Sequence, residues 1–142
     1  MSTRRATPAL VLAGLGLSAC AQVTASQPHS PPTGSTVSVT IPGADRFSPF
    51  AAEVRQGSPI VFRNMDGDPH TVTSVPGDSA TFDVTIPPGG TTTISLTAPG
   101  VHRYYCRLHA RFDTATGEVA ALPSADHPDE PMMGVLVMQP SG

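Results

Sequence analysis

Tryptophan is absent from the 142 residues, and the aromatic complement is five phenylalanines and two tyrosines, so any core must be mainly aliphatic. Charge is also scarce. Charged side chains make up 13 % of the chain and the formal net charge is −3, with no basic stripe or arginine cluster, which argues against a nucleic-acid partner. No apolar run is long enough to span a bilayer as a helix. No segment of ordinary length carries a strongly amphipathic helical period. Serine, histidine and carboxylate do not recur at a hydrolase spacing, and no glycine loop suited to phosphate is present. What is abundant is proline and glycine, 16 and 13 residues, among many valines and threonines. That composition favours short strands joined by turns, and the length suits one domain.

The N-terminus reads as a targeting segment. Arg4 and Arg5 precede a short apolar run over residues 9–17 (ALVLAGLGL), followed by Leu17-Ser18-Ala19-Cys20. Small residues directly before a cysteine resemble the lipobox of bacterial lipoproteins, which implies cleavage ahead of Cys20 and lipidation of it. An ordinary cleaved secretory signal is the alternative. The Arg4-Arg5 pair suggests the twin-arginine route, but Ala6-Thr7-Pro8 does not support it. Residues 1–20 are therefore assigned to the signal and its lipidation cysteine. Residues 21–35, rich in Ser, Thr, Pro and Gln, form a flexible tether, and residues 36–139 form the folded domain. Either kind of signal places the mature protein outside the cytoplasm, where thiols oxidise. The second cysteine, Cys106, then has no partner within the chain, and a lone exported thiol is a liability unless it binds or reacts.

From residue 36 the pattern is that of strands. Residues 36–41 (TVSVTI), 70–75 (HTVTSV) and 91–96 (TTTISL) alternate apolar and polar positions. Residues 59–64, 81–86, 101–106 and 134–138 are further strands, and an extended stretch leads from Phe47 to Arg55. Turns are marked by Pro42-Gly43-Ala44-Asp45, Gln56-Gly57, Asp66-Gly67-Asp68-Pro69, Pro87-Pro88-Gly89-Gly90 and Ala98-Pro99-Gly100. Seven or eight short strands at this spacing predict an all-β fold, an antiparallel sandwich or small barrel with Greek-key connections. Residues 110–131 break the rhythm. They separate the last two strands by far more than a hairpin loop and carry either a short helix or a hairpin.

The chemistry concentrates in Tyr104-Tyr105-Cys106-Arg107-Leu108-His109. On an extended strand the Cys106 and His109 side chains diverge, whereas in a turn leaving the strand they converge. Asp68-Pro69-His70 puts a second imidazole at a strand start, and Met132-Met133-Gly134 puts thioethers at the start of the last strand. Two imidazoles and a thiolate in a plane, with a weak axial thioether, are the donors of a blue-copper electron-transfer centre. Thiolate suits both copper oxidation states, imidazole accepts either, and the distant thioether tunes the potential.

Over residues 37–138 the chain resembles the plastocyanin/azurin family of cupredoxins. The landmarks are Phe47-Ser48-Pro49, Gly57-Ser58-Pro59 leading to Asn64, Asp68-Pro69-His70-Thr71-Val72, Ala98-Pro99-Gly100 leading to the Cys106–His109 segment, and Met132-Met133-Gly134-Val135-Leu136-Val137. The resemblance implies a Greek-key β-sandwich with a long loop inserted before the last strand. It also implies one type 1 copper ion cycling between Cu(II) and Cu(I), held by His70, Cys106, His109 and Met132. The family pattern of methionine, any residue, glycine selects Met132; a shifted register would substitute Met133. Two features depart from the family: the length of residues 110–131, and Thr71 where asparagine is common. A threonine hydroxyl can still hydrogen-bond toward the ligand loop.

Other candidates read more blandly. His102 shares a strand face with Cys106 but lies about 13 Å along it, too far to share a metal, and reads as a satisfied structural histidine. His127 belongs to the inserted segment and His29 to the tether. Met138 reads as core and Met65 as packing beside the turn. Tyr105 points away from Cys106; in the family such a tyrosine can offer a second electron route, and it can equally be a surface side chain. The function expected is that of a monomeric, non-enzymatic one-electron carrier. Its lipid would tie it to a bacterial membrane, on the periplasmic or cell-surface side, where it would meet a redox protein partner. Copper storage or delivery is the alternative. An oxidase or reductase would need a second copper centre, for which one available cysteine and scattered histidines are insufficient.

Overall fold

The computed structural model describes residues 34–141, so the signal, Cys20 and nearly all of the tether lie outside the described residues. Ten strands and no helix occur among them. In chain order they are β1 (Val37–Ile41), β2 (Ala51–Arg55), β3 (Pro59–Asn64), β4 (His70–Ser74), β5 (Asp83–Ile86), β6 (Thr91–Ser95), β7 (Gly100–Tyr105), β8 (Ala110–Asp113), β9 (Glu118–Ala121) and β10 (Met133–Gln139). One sheet has the order β1-β3-β6 and a second the order β2-β10-β7-β4-β5; β8 and β9 form a separate hairpin. The sequence pattern predicted an antiparallel sandwich. The sheets are in fact mixed, because β1 pairs with β3 and β2 with β10 in parallel. The chain passes between sheets before pairing, so these partners are not joined by a hairpin that would reverse them.

Period-two alternation sets the core. On β3, Ile60, Phe62 and Asn64 point inward, and on β10 Gly134, Leu136 and Met138 do so. On β7 the inward positions are His102 and Tyr104, and the same alternation carries Cys106 inward just past the strand end. Of these, Ile60, Phe62, Tyr104, Cys106, Leu136 and Met138 meet Val39, Ile41, Val54, Val72 and Ile86 in one cluster drawn from both sheets. Three aromatics, Phe47, Phe62 and Tyr104, are buried here. Tyr104 packs edge-on against Phe47 and Phe62, with centroids 4.8 and 5.4 Å away. Gly134 lies opposite Tyr104 in the ladder, and the ring occupies the space a Cβ would need. The Tyr104 hydroxyl is buried without a hydrogen-bond partner, and burial pushes its ionisation up.

Residues 110–131 resolve into the hairpin rather than a helix, followed by residues 122–132 returning to β10. Alternation on the hairpin turns Ala110 and Val119 onto Val75, where they form a second small core with Tyr105, Phe112 and Met133. Tyr105 is therefore half-covered rather than a free surface tyrosine. Met65, expected to pack, is 59 % exposed, while Met138 is core as expected. His102 is satisfied as expected, bonded to Asp78 and to the Ala98 carbonyl.

Gly134→Ala should destabilise the domain by about 1–3 kcal/mol, because the added methyl overpacks Tyr104. Tyr104→Phe alone should be neutral or stabilising by about 1 kcal/mol, since it removes a buried orphan hydroxyl. Combined, Tyr104→Phe should recover part of the Gly134→Ala loss. Denaturant midpoints of the four proteins check this, and strict additivity would refute the packing account.

Candidate metal centre

Three hydrogen-bonded segments build the site. The first is the turn after Asn64. This fully buried amide shares its Nδ2 donors among the carbonyls of Asp68 (2.7 Å), Pro87 (3.1 Å) and Ile86 (3.2 Å), and its Oδ1 accepts from the Asp66 amide at 2.9 Å. The turn so pinned delivers His70 to the start of β4, fully buried. The second is the end of β7. The Cys106 amide donates to the Met132 carbonyl at 3.0 Å, and the Cys106 carbonyl accepts from His109 (3.1 Å) and Ala110 (2.8 Å). That closed turn folds His109 back over Cys106, as the Cys-x-x-His spacing requires. The third is β4 itself, whose Thr71 amide donates to Cys106 Sγ at 3.2 Å. The Thr71 hydroxyl lies 3.8 Å from the sulfur and accepts from the Arg107 amide at 2.9 Å, so it does bond to the ligand loop.

The result is a convergence of donors. Cys106 Sγ lies 3.4 Å from His109 Nδ1 and 3.8 Å from His70 Nδ1, and the three donor atoms all fall within 4.8 Å of one another. Met132 is buried in the same core cluster as Cys106, whereas Met133 faces the hairpin cluster on the opposite side of the strand. His127 is exposed, and His102 is occupied by Asp78 and Ala98. His29 and Cys20 lie outside the described residues.

Electrostatics favour a thiolate. Burial pushes the Cys106 thiol up, but hydrogen bonds from His70, the Thr71 and Leu108 backbone and His109 outweigh it, leaving the pKa at about 6. Burial pushes His70 down, and its bonds to Cys106 and Asp66 reverse that to a net rise. Asp66 accepts from His70 Nε2 at 2.9 Å, and this bond holds its carboxyl below the usual range. It also fixes the ring so that Nδ1 faces the sulfur. Sequence reasoning missed Asp66 in this role, although a carboxylate four residues before His70 was a visible signal. It also missed Asp45, read only as part of a turn. Its buried carboxylate lies 3.3 Å from His109 Nδ1 and accepts from the Asp126 amide at 2.8 Å.

No family model matches the chain. It is 32 % identical over 78 residues to the plastocyanin of Vicia faba, a match that covers 47 % of this chain and 79 % of that protein. The chain belongs to the plastocyanin-type cupredoxins. The chloroplastic plastocyanin of Pisum sativum matches at the same identity, with 47 % of this chain and 46 % of that longer protein covered. Among solved structures, a purple cupredoxin from Nitrosopumilus maritimus superposes with a TM-score of 0.50 at 20 % identity, over 72 % of this chain and 99 % of that one. At that identity the likeness concerns the fold alone, and it agrees with the Greek-key sandwich. The donor set of this cupredoxin fits one copper ion: a preformed thiolate, two imidazole nitrogens and a thioether side chain in the adjoining core.

In the metal-free protein, the ultraviolet absorbance of the thiolate should titrate with a midpoint near 6, well under the ordinary value of about 8.5. The folded pKa lies below the unfolded one. The stability this group contributes is therefore complete above about 8.5 and is lost as pH falls through about 6. A midpoint at or above the ordinary thiol value would refute the hydrogen-bond account.

Proposed function

We propose that this cupredoxin is a one-electron carrier with a single type 1 copper centre, which His70, Cys106, His109 and Met132 would hold. The observation that carries this reading is the convergence of Cys106 Sγ with two imidazole Nδ1 atoms inside the sandwich. Copper bound there would supply a one-electron couple between Cu(II) and Cu(I). The chain's own residues do the rest. Thr71 supplies hydrogen bonds to the sulfur, Asp66 orients His70, and the strand ladders keep the donors in place so that little rearrangement accompanies a change of charge. His109 keeps an exposed edge, with 18 % of its side chain accessible, and we assign electron entry and exit to it. Exposed Leu108, next to His109 in the chain, and exposed Met65, next to Asp66, offer apolar surface to a redox protein partner.

The sequence supports export and a lipid at Cys20, which would confine the monomer to the outer face of a bacterial membrane. A lipidated N-terminal cysteine with several chains anchors stably, as a single chain does not. Copper delivery is the less favoured reading. His127 and Met133, which would serve exchange, lie exposed on the surface and against the hairpin, and neither joins the converging Cys106, His70 and His109 donors. One thiol and one donor cluster of this kind among the described residues also favour a carrier over an oxidase or reductase.

The domain following Cys20, loaded with Cu(II), should show an intense blue thiolate-to-copper band and a small copper hyperfine splitting by electron paramagnetic resonance. Cys106→Ser should abolish both. A pale spectrum indifferent to Cys106 would sink the ligand set. Asp66→Asn should weaken copper binding about 10–100-fold, because the ring it orients is freed. Competition against a chelator of known affinity measures this, and unchanged affinity would remove Asp66 from the site.

A further inference from the structure

The turn between β1 and β2, read from the sequence only as a turn, buries a carboxylate. Gly43, Ala44 and Asp45 have φ values of 116°, 58° and 46° in succession. Two non-glycine residues in the left-handed region are unusual, and aspartate tolerates it better than most. This backbone turns Asp45 inward, leaving 5 % of its side chain accessible. Both carboxylate oxygens are engaged. Oδ1 lies 3.3 Å from His109 Nδ1, the same nitrogen that lies 3.4 Å from Cys106 Sγ. Oδ2 accepts from the Asp126 amide, which belongs to the inserted segment 81 residues away. A carboxylate oxygen of Asp45 also lies within 4.8 Å of a His70 ring nitrogen and of the Asp66 carboxylate.

A buried carboxylate is kept only where something compensates its desolvation. In the metal-free chain an N–H at His109 Nδ1 can do so. A metal ion taking the lone pair of that nitrogen leaves no proton there to donate, and the carboxylate charge then stands beside the metal-facing edge of the imidazole. Such a charge stabilises a divalent ion more than a monovalent one, and the effect is strong where water is excluded.

Resting on the reading of this site as a copper centre, we propose that Asp45 sets its potential: a buried carboxylate, clamped between His109 and the inserted loop, that favours Cu(II) over Cu(I). It acts as a positioning and charge-bearing residue. In the full-length protein loaded with copper, Asp45→Asn removes the charge, and asparagine tolerates the same left-handed backbone. Asp45→Gly removes the side chain and accepts that backbone without strain.

Both variants should keep the blue thiolate band. Both should shift the ratio of Cu(I) to Cu(II) affinity toward Cu(I) by about tenfold or more, a rise in midpoint potential of about 59 mV per tenfold. The rise should persist in about 1 M salt, which screens exposed charges but not a buried one. Redox titration followed at the blue band reads these values. A retained band with the wild-type potential would overturn the proposal. So would loss of the band in both variants but not in wild type, which would make Asp45 a structural brace. Absence of the band from wild type as well would instead bring down the copper reading, and this inference with it.

Discussion

A fully buried sulfur can carry negative charge only if donors surround it, and much of the structure around Cys106 answers that constraint. The Thr71 amide and two imidazoles face Sγ directly. Thr71 can stand there only because β4 begins at His70, and β4 begins there because Asn64 pins the preceding turn with both ends of its amide. On the other side, the ladder between β7 and β10 sets Tyr104 against Gly134 and leads directly into the bond from Cys106 to Met132. The core and the site are thus one hydrogen-bonded and packed unit. A change at Asn64 or Gly134 reaches the sulfur without touching a donor atom.

The inserted segment divides its work between the two faces of β7 and β10. Its hairpin part lies on the outer face and covers Tyr105 with a small apolar core. That burial works against Tyr105 as a second electron route and leaves the His109 edge as the accessible side of the donor cluster. The return part crosses to the β1–β2 turn, where the Asp126 amide holds Asp45 against His109. A long insertion between β7 and β10 is tolerated because loop-closure entropy grows slowly with length. Here the cost is offset by local packing at one end and a hydrogen bond to a buried carboxylate at the other.

Local chemistry was legible in the sequence wherever neighbours along the chain decide the outcome. Alternation placed β1, β4 and β6, and short strand-like runs between turn signals placed β3, β7 and β10, to within a residue or two. The Cys106–His109 spacing implied the turn that the backbone bonds confirm. The choice between Met132 and Met133 was already weighted by the following Gly134, and alternation puts these two side chains in different clusters. The parallel pairings of β1 with β3 and of β2 with β10 were not legible, since strand direction depends on where the chain crosses between sheets. Residues 110–113 and 118–121 are too short for a periodic signal, so the hairpin was indistinguishable from a short helix. Asp45 looked like an ordinary turn residue, because the carboxylate's partners come from positions 109 and 126.

By itself, then, the sequence determined the all-β class, the inward face of each main strand, and the residue types able to hold a soft metal. Each of these follows from side-chain periodicity or from turns of a few residues, interactions that decay within a short stretch of chain. Tertiary structure alone decided sheet order, the covering of Tyr105, and the meeting of Asp66 with His70 and Asp45 with His109 at hydrogen-bonding distance. Those outcomes depend on register and packing summed over both sheets. No local window contains that sum, and a slip of one residue in any ladder would turn the donors to the opposite face.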